Sequence, residues 1–342
     1  MKLAVVLFNL GGPDSLDAVE PFLRNLFGDP AILSLPAIVR TPLARFIASR
    51  RAPVAREIYK KIGGRSPIVE ETQAQAEALD KLLAERGIEA KSFIAMRCWH
   101  PFSDAAAQAV KAWGADAIVL LPLYPQYSTT TTASSFSDWD RAARKAGLNL
   151  PTSRLCCYPD SEGFVAAAAD LIHQTLTRAK PGVSYRLLLS AHGLPKRTIA
   201  KGDPYQWQVE RTAAAIVDRL GIKGLDWQVC YQSRVGPLEW IGPATDGEIR
   251  RAGADGKGVA IVPIAFVSEH SETLVELDLE YAHLALSAGV KDYLRVPTVS
   301  AHPKFIEALA ELVMRANNGE GTLSGTGARI CPKRFGTCPC LE

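Results

Sequence analysis

The chain has 342 residues, of which 47% are hydrophobic, and a formal net charge of +3 at pH 7. High apolar content and nearly balanced charge exclude an intrinsically disordered chain and a dedicated nucleic-acid-binding protein. At about 150 residues per domain, the length predicts two domains.

Short β-branched runs alternate with segments of helical periodicity along the whole chain. Predicted strands begin near Leu3, Ser92, Ala117, Ser153, Tyr185, Trp227, Val259 and Tyr293. These runs are almost entirely apolar, as in strands buried on both faces of a parallel sheet. The pattern predicts an α/β fold of two doubly wound domains, residues 1–155 and 156–320, with a tail of residues 321–342.

The sequence shows neither the pattern of a membrane-spanning helix nor that of a secretory signal. No apolar run approaches the roughly 18 residues that cross a bilayer, and the apolar start of the chain lacks the cleavage pattern of a secretory signal. We therefore expect a cytoplasmic protein. In a reducing compartment, its 7 cysteines are expected to be free thiols or metal ligands.

Residues 30–65 form a basic and apolar stretch interrupted by proline. Glu57 is its only acidic residue, whereas eight of its residues are Lys or Arg, including Lys60 and Lys61. A basic, apolar segment is typical of a lip that contacts a membrane surface or an acidic ligand. The alternative is an ordinary helix pair whose apolar side joins the core.

His192 follows a predicted buried strand in Ser190-Ala-His-Gly-Leu-Pro195. An imidazole at such a strand end can take a proton from a substrate near neutral pH. The alternative is a histidine that only makes a hydrogen bond in the turn.

A second candidate is an acidic segment. Its acids are spaced three, four and four residues apart on one predicted helix face: Glu269, Glu272, Glu276 and Glu280. Residues 258–290 contain no Lys or Arg, although a solvated acidic face normally interleaves bases. A bound cation or proton would relieve the repulsion, and His270 adds a nitrogen that suits Fe(II). We expect this crowding to raise the pKa of at least one carboxyl.

Three cysteines of the tail lie within ten residues: Cys331, Cys338 and Cys340. This spacing indicates thiolate ligation of zinc or of an iron–sulfur cluster, and either Cys156 or Cys157 is available as a fourth ligand. Since strand side chains alternate, we expect only one of that pair to reach the site. The alternative is a frayed tail with idle thiols.

Taken together, these motifs resemble the ferrochelatases, enzymes that insert Fe(II) into a porphyrin to make haem. The matching strings run in family order: Asn9-Leu-Gly-Gly-Pro13, Ile62-Gly-Gly-Arg-Ser-Pro67, Tyr124-Pro-Gln-Tyr-Ser128, Ser190–Pro195, Gly202-Asp-Pro-Tyr205, Gln232-Ser-Arg-Val-Gly-Pro237, Trp240-Ile-Gly-Pro243 and Pro263–Glu272. The resemblance implies two Rossmann-like, chelatase-type domains with parallel sheets around a porphyrin cleft.

The resemblance also implies residue roles. His192 would face the macrocycle and Glu272 would act on the opposite ring face, with Glu276 and Glu280 continuing the acidic row away from the cleft. We expect His192 to accept a pyrrole proton or to ligate the incoming iron. Glu269, Glu276 and Glu280 are expected to relay protons or iron, and His270 joins this iron-binding set. The implied porphyrin contacts are Arg97, Tyr124, Trp240, Lys60 and Lys61. The implied reaction consumes protoporphyrin IX, with coproporphyrin III as the alternative substrate. A non-catalytic metal- or tetrapyrrole-binding protein is the less favoured function.

The tail resembles that of bacterial ferrochelatases that carry a [2Fe–2S] cluster. This implies Cys331, Cys338 and Cys340 as ligands together with Cys156 or Cys157, because Thr129 stands where animal enzymes have an internal cysteine. The basic, apolar lip predicts peripheral association with the inner-membrane surface. The sequence does not fix the oligomeric state, although cluster-bearing relatives can be homodimers.

Overall fold

The computed structural model describes residues 1–234, 238–319 and 321–340, so residues 235–237 of the Gln232–Pro237 motif lie outside it. The chain forms two compact units, each with its own β-sheet. The first unit contains Met1–Cys157, Leu309–Ile330 and the chain end from Pro339, and the second contains Tyr158–Ala308 and Cys331–Cys338.

The first unit contains a five-stranded sheet in the order β2-β1-β3-β4-β9, and its paired strands are parallel. The strands are β1 (Leu3–Asn9), β2 (Ala90–Met96), β3 (Ala117–Pro122), β4 (Thr152–Cys157) and β9 (Thr322–Ser324). The helices are α1 (Val19–Gly28), α2 (Ala37–Lys60), α3 (Ile68–Glu85), α4 (Ser103–Trp113) and α5 (Thr132–Ala146).

The second unit contains a four-stranded parallel sheet in the order β6-β5-β7-β8. The strands are β5 (Tyr185–His192), β6 (Asp226–Gln232), β7 (Gly258–Pro263) and β8 (Tyr293–Arg295). The helices are α6 (Glu162–Leu176), α7 (Lys196–Ala200), α8 (Tyr205–Leu220), α9 (Thr245–Ala254), the π-helix Glu272–Glu280, α10 (Tyr281–Ser287) and α11 (Pro303–Asn317), which ends in the first unit.

Both sheets repeat one topology, because β2-β1-β3-β4 corresponds in order to β6-β5-β7-β8. Every residue of β1 and of β7 is buried, as expected for strands covered on both faces. Burying a leucine or valine of such a strand contributes about 1.5–3 kcal/mol. The predicted doubly wound α/β class is therefore confirmed.

The domain boundary predicted at residue 320 differs from the structure. Residues Leu309–Ile330 belong to the first unit, where β9 extends the sheet by pairing with β4. Pairing satisfies backbone groups that an edge strand would otherwise expose. A strand of three residues leaves no periodic signal in the sequence, and this explains why β9 was not predicted.

The basic stretch folds largely into α2, a helix with one buried side and one side exposed to solvent. Ala44, Ala48 and Ala52 are buried, and α2 packs against α1. Ile38 and Phe46 instead expose 85% and 59% of their surface. One side of this helix therefore joins the core, as the helix-pair alternative predicts, while large apolar side chains of the same helix face solvent.

Candidate active site

The candidate site lies at the carboxyl ends of the second sheet's central strands. His192 is the last residue of β5, and the chain leaves β7 at Pro263 toward the acidic segment. β5 has β6 on one side and β7 on the other, so its end is the topological switch point at which doubly wound sheets bind ligands. The fold thus places the predicted histidine where the sheet is open to a substrate.

The acidic segment does not form the α-helix that its spacing predicts. Glu269 and His270 precede the helix, and residues Glu272–Glu280 form a π-helix, a rare geometry found most often at functional sites. Its wider turn changes which side chains align. Glu280 lies exposed at its end, and the row predicted through Glu269, Glu272, Glu276 and Glu280 stays a prediction.

Two histidines flank the carboxylate of Glu272. His192 Nε2 lies 3.7 Å from Glu272 Oε1, and His270 Nε2 lies 3.6 Å from Glu272 Oε2. The Nδ1 of His192 is 2.6 Å from the carbonyl of Gly193, and the Nδ1 of His270 is 3.1 Å from that of Ser268. A carbonyl can only accept, so each Nδ1 carries the hydrogen and each Nε2 is directed at the carboxylate.

This arrangement controls the ionisation of Glu272. Burial opposes the charged form, but the attraction of His192 and the contact with His270 more than offset it and lower the pKa of Glu272 to about 2. Glu272 is therefore a permanent anion near neutral pH. Of the predicted acids, Glu276 has the raised pKa, because it is buried and lies close to the charge of Glu272.

Glu276 is held by four hydrogen bonds. One carboxylate oxygen accepts from the Ser233 backbone N–H at 3.0 Å and the Tyr281 hydroxyl at 3.0 Å. The other accepts from the Ser233 hydroxyl at 2.5 Å and Gln232 Nε2 at 3.0 Å. Its oxygens are committed to the protein, so the geometry favours a structural role for Glu276.

The acidic segment also has a positive partner that its own sequence lacks. Arg295 Nη1 lies 2.5 Å from Glu269 Oε1, and Arg295 Nε lies 2.6 Å from Asp278 Oδ1. Arg295 belongs to β8, beyond the base-free residues 258–290. The expectation of unrelieved repulsion is wrong for Glu269, because the compensating charge comes from another strand.

The distance between His192 and Glu272 bears on their predicted placement on opposite ring faces. Each face of an aromatic ring needs about 3.5 Å to a contacting atom, so a ring between them would hold these side chains about 7 Å apart. They are 3.7 Å apart. Binding on opposite faces would therefore require the two side chains to separate, and the prediction stays a prediction.

Comparison with known proteins decides the family. The ferrochelatase family model matches residues 2–317. The ferrochelatase of Phenylobacterium zucineum is 54% identical, covering 99% of this chain and 98% of that protein, and the ferrochelatase of Caulobacter vibrioides is 52% identical, covering 100% and 98%. The chain belongs to the ferrochelatase family. It is thus a metal chelatase.

Solved structures agree with the chelatase fold. SirB from Bacillus subtilis with Fe3+ is 16% identical, has a TM-score of 0.51 and covers 93% of this chain and 97% of that chain. The sirohydrochlorin chelatase SirB from Bacillus subtilis subspecies spizizenii in complex with cobalt is 15% identical, with a TM-score of 0.54 and the same coverage. At such identity the likeness concerns the fold alone.

Trp240, a predicted porphyrin contact, packs against Gly193, the residue after His192 in this ferrochelatase-family chain. A Cβ atom on Gly193 would lie 3.2 Å from Trp240 Cε3 and 3.0 Å from the carbonyl of Gln232, so glycine is needed next to His192. The indole Nε1 of Trp240 is buried and has no partner within the described part of the chain.

The other predicted porphyrin contacts of the ferrochelatase-family chain lie in the first unit. Arg97 is bound to Asp29, at 3.0 Å, and donates to the Ser134 hydroxyl at 2.7 Å, so its charge is already compensated. Burial raises the pKa of Tyr124. Lys60 and Lys61 are both exposed, and Lys60 Nζ lies 2.6 Å from Glu57.

The predicted cluster ligands are divided between the two units. Cys331 and Cys338 belong to the second unit, and Cys340 belongs to the first, as do Cys156 and Cys157. Across residues 1–234, 238–319 and 321–340, no three Cys, His, Asp or Glu side chains are grouped so that they could hold a metal ion.

The geometry of the adjacent cysteines differs from the prediction. Cys156 Sγ and Cys157 Sγ are 3.5 Å apart rather than on opposite strand faces. The β4 register shifts between Leu155 and Cys157 where it pairs with β9, and this irregularity breaks the alternation of side chains.

Sequence analysis missed four residues of this ferrochelatase-family site: Gln232, Ser233, Tyr281 and Arg295. Gln232 was predicted only as part of a motif, yet it ends β6 opposite His192 and donates to the Glu272 carbonyl at 3.1 Å. Its position after a buried strand was the available signal, because carboxyl ends of neighbouring parallel strands meet at one edge. Arg295 ends β8 in the same way, but its pairing with Glu269 and Asp278 depends on the tertiary structure.

Proposed function

We propose that this protein inserts Fe(II) into protoporphyrin IX to form haem b. The reaction exchanges one Fe²⁺ for the two N–H protons of the ring, so the site must receive two protons as the metal enters. The observation that carries the proposal is the row formed by His192, Glu272 and His270, with the Nε2 atoms 3.7 and 3.6 Å from the carboxylate.

His192 is the proton acceptor nearest the substrate in this proposal. Its Nδ1 is held by the Gly193 carbonyl, so the lone pair on Nε2 can take a pyrrole proton. The Tyr205 hydroxyl donates to the backbone carbonyl of His192 at 3.0 Å and steadies the strand end. The carboxylate of Glu272 stabilises the imidazolium cation that forms.

Glu272 and His270 lie next to His192 in this row. Because its pKa is lowered to about 2, Glu272 does not take up the proton. Its charge holds the protonated His192 through one oxygen, while the other oxygen faces the Nε2 of His270. These distances exceed a normal hydrogen bond and would have to shorten when substrate binds. Since Glu272 stays ionised, it can also attract the incoming Fe(II) together with the imidazole nitrogens. Glu269 and Glu276 support this row through Arg295 and Ser233.

The test is an anaerobic metallation assay with ferrous iron, in which the change in porphyrin absorbance measures the rate. Protoporphyrin IX and coproporphyrin III are compared side by side, because they differ in the number of propionates. Faster turnover of protoporphyrin IX is expected. Faster turnover of coproporphyrin III would show that it is the substrate instead. If neither porphyrin were metallated, the proposed activity would be rejected.

Peripheral membrane association is part of the proposal, with the protein acting from the cytoplasm on the inner-membrane surface. None of the helices in residues 1–234, 238–319 and 321–340 is long and apolar enough to cross a bilayer. On α2, however, Ile38, Phe46 and Val54 expose 85%, 59% and 67% of their surface, beside several arginines. Exposed apolar groups next to basic ones fit an anionic lipid surface, where an apolar porphyrin would partition.

The [2Fe–2S] cluster stays a prediction from the resemblance, and no proposed step passes through it. One contact supports it: Gln208 Nε2 donates to Cys331 Sγ at 3.1 Å, and cluster sulfurs commonly accept such hydrogen bonds. Protein purified without oxygen is expected to contain two irons and two acid-labile sulfides per chain. Equimolar zinc without iron would reject the cluster.

A further inference from the structure

We propose that Arg295 is a positioning residue for the metallation reaction. Its guanidinium joins the loop before the π-helix to the helix itself. It thereby fixes the position of the Glu272 carboxylate relative to the His192 imidazole. This inference rests on the proposed chelatase function.

Arg295 makes a two-sided clamp. One side is Glu269, whose Oε1 is 2.5 Å from Nη1, and the other is Asp278, whose two oxygens are each 2.6 Å from Nε and Nη2. Arg295 is only 15% exposed, and so is Glu269. Bidentate pairing fixes orientation as well as distance, and a lysine could not reproduce the planar fork.

The clamped positions bracket the reactive acid. Glu269 precedes Glu272 by three residues and Asp278 follows it by six. Glu272 itself stands 3.6 and 3.7 Å from its histidines, beyond the length of a normal hydrogen bond. Its location is therefore determined mainly by the backbone that carries it, and Arg295 holds that backbone on both sides.

A second contact from the same strand supports the clamp. Tyr293, two residues before Arg295, donates its hydroxyl to the Leu277 carbonyl at 2.7 Å. Residues i and i+2 of a strand share a face, so β8 directs both side chains to the π-helix. Glu269 also accepts from the Thr298 backbone N–H at 3.0 Å, which ties the loop to the chain after β8.

The second unit offers a matched control. Arg186 also joins two carboxylates, with Nε 3.0 Å from Asp226 and Nη2 3.0 Å from Asp255, and it is 6% exposed. It lies near the start of β5, whereas His192 lies at the end. Losing Arg186 removes a buried guanidinium that also joins two carboxylates, at the amino end of β5, far along the strand from His192.

The test compares Arg295→Met with Arg186→Met, each assayed as full-length protein at a temperature where circular dichroism shows it folded. Misplacing a catalytic group by about 1 Å can cost about 10²-fold in rate. We expect Arg295→Met to lose kcat by about that factor with KM for porphyrin nearly unchanged. Arg186→Met should keep kcat despite a lower Tm.

Two further variants sharpen the result. Asp278→Asn removes one arm of the clamp, and combined with Arg295→Met it should add little further loss, because both act through one contact. Arg295→Lys should recover part of kcat. Equal kcat loss in the two methionine variants, or a wild-type kcat in Arg295→Met, would overturn the inference. An inactive wild type would instead reject the proposed function.

Discussion

The Nε2 atom of His192 faces one carboxylate oxygen of Glu272 across 3.7 Å, although the two residues belong to a strand end and a helix start separated by 80 positions. In the proposed reaction the pair would combine a proton acceptor with a carboxylate whose pKa is lowered to about 2. Its consequences for activity and stability can be measured.

Replacing His192 with alanine is expected to lower kcat by about 10²–10⁴-fold, the usual contribution of a positioned general base. The carbonyl of Gly193 and the β5 backbone do not depend on the imidazole, so the fold should persist. Rates of porphyrin metallation and a circular dichroism spectrum test this. A near-normal rate in folded protein would exclude His192 from the chemistry.

Replacing Glu272 with glutamine should reduce kcat by about 10²-fold or more, because the imidazolium and the metal lose their anionic partner. Glu280→Gln is the matched control, since Glu280 is exposed at the far end of the same π-helix. It should retain nearly full activity. Similar losses in both variants would instead indicate that the whole acidic segment carries iron.

The pH dependence of the unfolding free energy should reveal the contribution of the Arg295–Glu269 pair to stability. Burial opposes ionisation of Glu269, but Arg295 outweighs it and lowers the pKa below the ordinary value of 4.5. A carboxyl with a lower pKa in the folded state adds stability above its unfolded pKa and loses it as pH falls through the folded value.

The wild type should therefore exceed Glu269→Gln in unfolding free energy fully above about pH 5, and the difference should shrink toward pH 3. Denaturant unfolding at several pH values measures it. A constant difference across this range would show that Arg295 does not lower the pKa of Glu269.

Membrane binding should depend on the exposed apolar side chains of α2. The double variant Ile38→Ser and Phe46→Ser is expected to bind anionic vesicles several-fold more weakly, because less apolar area enters the headgroup region. Leu286→Ser is the control, since Leu286 is 78% exposed in the second unit. High salt should also weaken wild-type binding. Equal binding by all three proteins at low salt would reject the lip as a membrane contact.

Strand positions illustrate what local sequence signals can establish. The apolar runs of β1 and β7 were predictable because burial on both faces requires side chains of one kind over several residues. His192 and Glu272 were predictable because the motifs around them are continuous in the chain. In contrast, β9 was not predictable, since it is a strand only because β4 offers it an edge.

By itself the sequence determined the doubly wound fold class, the family and the candidate base and acid, because periodicity and motif spacing are properties of neighbouring residues. Only the tertiary structure decided which of the predicted carboxylates faces the histidines without being bound by other protein groups. Arg295 neutralises Glu269, and Ser233 and Tyr281 occupy Glu276, so Glu272 alone of these three is left to face two histidines. These partners approach through strand order and a π-helical turn, which no local pattern encodes.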